Sequence, residues 1–192
     1  MTQDSCLMIL TRIGKYKIEV IQDESPSSPR EDDNLGTMVC FHKRYELGDK
    51  TDYRTEDYDS WDELKDKLSE DFKGGVILPL YLYDHSGITI STSSFDCRWD
   101  SGCVGFICVS KDKIREEGID ETKVEQYLID EVKTYDQYLT GDVWGYNVYE
   151  ITTCDKGHEH KELVESNWGM YGHDECESEG KSVIEHWEKI VV

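Results

Sequence analysis

Three groups of side chains in this sequence have the types and spacing to do chemistry. The tripeptide Asp84-His85-Ser86 contains an acid, an imidazole and a hydroxyl, the parts of an activated nucleophile. Neighbouring strand residues point to opposite faces, and a working triad is assembled from separated positions. Followed by Gly87, the same residues read as a turn, with Asp accepting backbone N–H groups and glycine supplying a permissive φ. Cys97, Cys103 and Cys108 are close to His85 in sequence, and a thiol beside an imidazole is a nucleophile. The alternative makes Cys108 a small core residue alternating with Phe106, and Cys97 and Cys103 free loop thiols. Cys154, His158, His160, His173 and Cys176 are ligand types for tetrahedral zinc, provided that a strand end and a helix start converge. Otherwise residues 151–162 are an ordinary hairpin with an exposed acidic turn. No cofactor is expected. A small metal- or thiol-dependent hydrolase is the enzymatic alternative, through His85 with Cys103 or through the C-terminal Cys/His set.

The elements that would position these groups are legible from periodicity. Residues 7–10, 16–21 and 37–45 read as short strands, with Gly14 turning the first into the second. Residues 22–36 carry two of the three prolines among Ser and acids, which predicts a loop or a flexible insertion. Ser60-Trp61-Asp62-Glu63 is a capping box, and Trp61, Leu64, Leu68 and Phe72 then share one face of a helix over 61–72. Gly74-Gly75 stops it. The apolar, β-branched stretch from Val76 to Ser110 predicts the central strands of a sheet: 76–83, 88–91 and 104–109, with a Ser- and Gly-rich loop around Trp99. A short helical turn over 111–117 and a longer helix over 121–139 follow, the latter burying Val124, Leu128, Val132, Tyr135 and Leu139. Residues 143–151 and 161–168 pair as strands, and the tail from Glu175 places Val183, Ile184, Trp187, Ile190 and Val191 at helical spacing. Tyr127, Tyr135, Tyr138, Trp144, Tyr146 and Tyr149 read as core or half-buried, and any exposed ones suit an interface. Short connections between strands favour an α+β class: a mainly antiparallel sheet with about three helices packed on it. At 192 residues one domain over 1–192 is expected.

Composition bounds the partners. The chain carries 42 acids against 21 bases, a formal net charge of −21. Five Trp and twelve Tyr among 37% hydrophobic residues separate it from a disordered acidic tail. Direct binding to nucleic-acid phosphates needs Lys and Arg, so it is disfavoured, and an anionic membrane repels the chain. The N-terminus has an apolar run of only residues 6–10, too short for a leader or a span. Seven cysteines without a C-x-x-C pair predict reduced thiols in a cytoplasm.

The segments LPLYLYDHSGITIS (78–91), WDSGCVGFICVSKDKI (99–114), VKTYDQYLTGDVWGYNV (132–148) and SNWGMYG (166–172) resemble a family of small acidic proteins recurring in bacteriophages and mobile elements. The resemblance covers roughly the last two thirds of the chain and carries no catalytic residues over. It implies a bacterial host cytoplasm, and a setting in which small acidic proteins act against host defence, as anti-CRISPR and antirestriction proteins do.

The acid is also patterned. Residues 49–71 hold ten acids and four bases, residues 116–136 eight and two, and residues 173–188 six and one. Carboxylates at i, i+4 on a helix repeat about every 6 Å of axis, and phosphates on one duplex strand about every 3.4 Å. Such rows can compete for a surface built to hold nucleic acid, with a salt-sensitive on-rate. The resulting expectation is an inhibitor of a basic, nucleic-acid-binding host complex, either a CRISPR effector or a restriction enzyme. Its contacts would come from Asp57, Asp59, Asp62, Glu63 and Asp66, from Glu116, Glu117, Asp120, Glu121, Glu125, Asp130 and Glu131, and from Asp174, Glu175, Glu177 and Glu179. The bland alternatives are solvated helix faces on a soluble protein, or a structural phage protein without inhibitory role.

Overall fold

A computed structural model describes residues 8–97 and 99–190, with side chains described over 10–97 and 99–187. The strands are β1 (Met8–Ile13), β2 (Tyr16–Gln22), β3 (Thr37–Cys40), β4 (Val76–Asp84), β5 (Ile88–Ser91), β6 (Ser101–Val109), β7 (Val143–Thr153) and β8 (Glu159–Tyr171). The α-helices are α1 (Trp61–Asp71), α2 (Lys111–Glu116), α3 (Val124–Thr140) and α4 (His173–Ile190). Every strand pairing is antiparallel, and the class is α+β, as the pattern implied. The strands form two four-stranded sheets instead of one, in the orders β1-β2-β7-β8 and β3-β6-β4-β5. The chain accordingly divides into two compact units: residues up to Ser27 together with those from Gly141 onward, and Ser28–Thr140.

In the first unit β2 pairs with β7, bringing Ile18 opposite Val148 and Val20 opposite Tyr146. Alternation puts Tyr16, Ile18, Val20, Trp144, Tyr146 and Val148 on one face, where α4 covers them with Cys176 and Ile184. Gly180 lets α4 approach, since a Cβ there would meet Ile18 and Tyr146 at 3.3 Å. Val183 and Trp187 pack at the edge of this core; the side chain of Ile190, and Val191, lie outside the described set. On the opposite face Glu19 is buried and bonded to Lys161, with Lys17 3.4 Å away. Burial raises the Glu19 pKa, but the hydrogen bonds and charges of Lys161 and Lys17 outweigh it and leave the carboxyl below its ordinary value.

In the second unit the sheet is buried on both faces. Phe106 and Cys108 of β6 meet Leu64 and Leu68 of α1, while Ile107 and Val109, one residue out of phase, meet Leu128 and Val132 of α3. The two helices therefore lie on opposite sides of one sheet. A bulge between Leu80 and Tyr81 shifts the β4–β6 register, so Val104 joins the α3 side although its number is even. Gly105 sits at this irregularity with φ 155°, where a Cβ would lie 2.0 Å from the Val39 carbonyl oxygen.

Residues 28–36 hold no strand or α-helix, and a charged cluster fastens them. Arg30, with a side chain only 4% exposed, donates from Nε and Nη2 to the two oxygens of Asp49 at 2.8 Å each. Its Nη1 donates to Glu131 Oε2 of α3 at 3.0 Å, and Nη2 also donates to the Gly36 carbonyl at 2.6 Å. Glu131 in turn accepts from the Leu35 and Gly36 N–H groups, and Asp49 from the Met38 N–H. Burial lowers the Arg30 pKa, but Asp49 and Glu131 more than restore it, so the guanidinium stays charged.

Two stability measurements check these contacts. Arg30→Ala leaves two acids facing each other with no cation, and should lose about 3–5 kcal/mol by urea unfolding; a loss below about 1 kcal/mol would show the cluster to be incidental. Glu19 contributes stability above the unfolded carboxylate pKa of about 4.3, and that contribution is lost as pH falls through the lower folded value. Glu19→Gln should therefore be less stable than the parent at pH 7, with the gap closing below about pH 4. A gap independent of pH would contradict this.

Candidate functional site

The acidic blocks are separated by the fold. In residues 49–71, Asp49 is enclosed by Arg30, and Asp71 is bonded to Lys67 and to the Tyr53 hydroxyl at 2.7 and 2.9 Å. Eight acids of the ten remain, among them Asp57, Asp59, Asp62, Glu63 and Asp66, all exposed. Glu63 also serves the helix start: Ser60 Oγ accepts from the Glu63 N–H, and Glu63 accepts from the Asp59 N–H, one residue before the cap. Asp62, Asp66 and Glu70 then run along α1 at i, i+4 spacing, opposite the buried Leu64 and Leu68.

In residues 116–136 three of the eight acids hold the fold together. Asp120 caps the 3-10 turn Glu121–Lys123 through the Thr122 N–H and hydroxyl. Asp136 accepts from the Thr89 hydroxyl and the Ile90 N–H, pinning β5 to α3. Glu131, expected to face a partner, is instead the internal acceptor for Arg30. Glu116, Glu117, Glu121, Glu125 and Asp130 remain exposed on this side of the sheet. The third block belongs to the other unit. There Asp174, Glu175 and Glu179 are exposed, while Glu177 accepts from the Thr11 hydroxyl and pairs with Lys181 at 2.8 Å.

The catalytic candidates are placed apart. Asp84 ends β4, where its carboxylate accepts from Arg44 at 3.0 Å and from the Tyr45 hydroxyl at 3.1 Å. His85 lies 3.2 Å from Asp100, and Ser86 turns the chain with φ 59°. The three residues form the turn, not a triad. Cys103 pairs across the ladder with Tyr81, four residues before His85, which separates it from the imidazole by about 13 Å along the strand. Burial raises the Cys103 pKa and pushes Cys108 up to about 12, so these thiols stay protonated. The Cys97 thiol donates to Asp100 Oδ2 at 3.7 Å.

The Cys/His set is not convergent either. The turn 154–158 joins β7 to β8, whereas His173 and Cys176 follow the far end of β8. Thirteen residues of strand place the two ends about 40 Å apart. Cys176 is fully buried beneath the sheet, and His173 packs edge-on to Trp144 at 4.9 Å. Among the described residues, no group of three or more His, Cys, Asp or Glu side chains is placed to hold a metal ion.

In the second unit two hollows lie beside the connection from β3 to α1. Phe41 and Trp61 line a cleft of 720 Å³ with Lys43, Arg44 and Asp84. They also line a smaller one of 220 Å³ with Tyr58 and Asp59. Neither was legible in the sequence: Trp61 read as part of the buried helix stripe, and no spacing relates Phe41 to Tyr58. Of the aromatic residues singled out by sequence, Tyr135, Trp144 and Tyr146 are buried and Tyr127 is exposed. Trp99, also exposed, marks the loop before β6. Among the described residues, no helix is long and apolar enough to cross a membrane.

Comparison with family models, with curated proteins and with solved structures finds no match to this chain.

Thiol labelling checks the placement of the cysteines. With iodoacetamide at pH 7.5, label should appear first, among the described cysteines, at Cys97 and Cys154, while Cys40 and Cys108, both pushed up to about 12 chiefly by burial, and Cys176, pushed up to about 11, stay unmodified until the protein is unfolded. Labelling of Cys108 at the rate of free cysteine, read by peptide mass spectrometry, would overturn this arrangement.

Proposed function

We propose that this chain is a binding protein, not an enzyme, and that it blocks a basic protein that handles nucleic acid. Its resemblance to phage and mobile-element proteins points to a host defence complex, a CRISPR effector or a restriction enzyme, in the bacterial cytoplasm. The observation that carries the reading is the solvent face of α1 with the turn before it. Asp62, Asp66 and Glu70 are exposed, lie opposite the helix's buried stripe, and advance about 6 Å per step. Asp57 and Asp59 extend the same acidic stretch, and all five lack an ion-pair partner among the described residues. Lys and Arg side chains that normally grip phosphates would find a carboxylate at about every second phosphate position along a strand.

Because α1 and α3 stand on opposite sides of a sheet, a flat partner surface meets one block and not the other. The 49–71 block keeps seven acids without a structural role, Asp49, Asp71 and the capping Glu63 set aside, against three bases, Lys50, Arg54 and Lys65, once Lys67 is assigned to Asp71. The α3 side keeps five against Lys123 and Lys133. The α1 side is therefore the face assigned to the partner. Association should be fast and salt-sensitive, because exposed charges act over about 10 Å at 0.1 M ionic strength.

Competition against DNA binding tests the reading. At 50 mM salt the protein should displace DNA from at least one member of a panel of CRISPR effector complexes and restriction endonucleases, and 0.5 M salt should restore the DNA complex. The triple variant D62N/D66N/E70Q should be about tenfold weaker, equivalent to about 1.4 kcal/mol. No displacement by the parent from any panel member at low salt would sink the proposal.

A further inference from the structure

The small cavity at the start of α1 has a chemistry of its own. Phe41, Tyr58 and Trp61 stand as a ladder of nearly parallel rings. The Phe41 and Tyr58 centroids are 6.3 Å apart with planes 19° from parallel, and those of Phe41 and Trp61 are 6.1 Å apart at 21°. The ladder is held from below and from the side. Trp61 meets the buried Phe106 edge-on at 6.3 Å, and the Ser60–Glu63 capping bonds fix the backbone that carries Asp59 and Trp61. With Thr55, Asp59, Ser60 and Leu64 the rings enclose 220 Å³. That is below the roughly 300–1,000 Å³ of clefts that take whole small molecules, and it suits one side-chain head group.

Charge decides which head group. Asp59 lines the cavity, and Glu56, Asp57 and Asp62 are exposed beside it in the chain. Among the described residues none of these four carboxylates has an ion-pair partner. Ring faces and carboxylates both attract a cation. The dipole of α1 opposes one with about half a charge at the helix start, but Asp62 and Glu63 in the first turn outweigh it. The neighbouring larger cleft shares Phe41, Thr55 and Trp61 and carries Lys43 and Arg44, the latter held by Asp84 at 3.0 Å. Neither cation lines the smaller cavity, where Asp59 is the charged residue of the lining. A guanidinium is planar, stacks on aromatic faces and forks onto a carboxylate, whereas an ammonium is a strongly hydrated point charge. It adds a rung to the ladder while bonding Asp59.

We propose that the Phe41–Tyr58–Trp61 cavity anchors an arginine side chain of the basic partner protein. The proposal rests on the acidic-face reading above and adds to it a place and a side-chain preference.

Titration of the full ¹⁵N-labelled chain tests it. The probes are acetyl-Gly-Arg-Gly-Arg-Gly-Arg-amide and the same peptide with lysine at every arginine, both at 50 mM salt. The indole N–H signal of Trp61, assigned with Trp61→Phe, should shift with the arginine peptide, and that peptide should bind at least about fivefold tighter than its lysine counterpart. Asp59→Asn, a change at an exposed side chain, and Tyr58→Leu should each remove the preference. If both peptides bind equally and Trp61 does not move, the arginine pocket is wrong while the acidic face stands. If neither peptide binds at low salt, both readings fall.

Discussion

A single guanidinium ties the second unit together. Arg30 reaches into the protein from a single 3-10 turn, Pro29–Glu31, and is met by Asp49 from the connection after β3 and by Glu131 from α3. Burying three ionised groups is tolerable only when their hydrogen-bonding capacity is filled, since desolvation otherwise exceeds the attraction between them. Here the filling is thorough. Both Asp49 oxygens take Arg30, one of them also takes the Met38 N–H, and Glu131 takes the Leu35 and Gly36 N–H groups as well. The cluster thus satisfies backbone groups that a loop would otherwise leave without partners beneath the surface. It also fixes Gly36, where a Cβ would meet Ile107 and Leu128 at 2.7 Å, against the core that α3 shares with β6. The Tyr135 hydroxyl, accepting from the Gly48 N–H, fastens the neighbouring connection to the same helix.

That cluster changes what the net charge means. A formal −21 invites the picture of a uniformly negative body. In the structure some acids are internal fasteners: Glu131 and Asp49 around Arg30, Asp136 under β5, Asp120 at a cap, Glu19 between two lysines. Within the second unit, the exposed acids of α1 and of α3 are placed on opposite faces of one sheet. Spreading like charges reduces their mutual repulsion, which is one physical reason for a fold with this composition to be stable. It also means that any one partner samples a fraction of the charge, so that the density on one helix face matters more than the total.

Local structure was legible in the sequence to within a few residues. The 3.6-residue period of 61–72 and 121–139 and the capping box at Ser60 depend only on neighbours, and they appear as α1 and α3. Turn chemistry at Gly14, at Ser86-Gly87 and at Lys156-Gly157 is equally local. What the pattern could not supply was pairing. An apolar strand reads the same whichever sheet it joins, so nothing marked β2 and β7, more than a hundred residues apart, as partners in a second sheet. The same limit explains the site. The acid at position 131 looks like its exposed neighbours until Arg30, a hundred residues earlier, is brought beside it. Phe41 and Tyr58 look like ordinary core aromatics until the connection folds back. The separation of His85 from Cys103, and of His158 from His173, is a matter of strand length and register, which sequence proximity misrepresents.

Electrostatic attraction between exposed groups is long in range and poor in geometry. It raises the rate at which a basic surface arrives, and it weakens with salt, but it does not choose where that surface stops. Position is set by groups that fit and exclude water, and aromatic and arginine side chains dominate such contacts. The α1 end combines both kinds of interaction within a few residues. Asp59 lines a wall of three aromatic rings, and the cap of α1 holds the backbone that carries Asp59 and Trp61. The α3 side has acids as well, but its exposed aromatic, Tyr127, stands without a described ring partner. An acidic face with an apolar socket in it can turn attraction into registration; an acidic face alone can only gather counterions. On that ground the recognition proposed for this chain is placed at the start of α1, and not at the most negative stretch wherever it occurs.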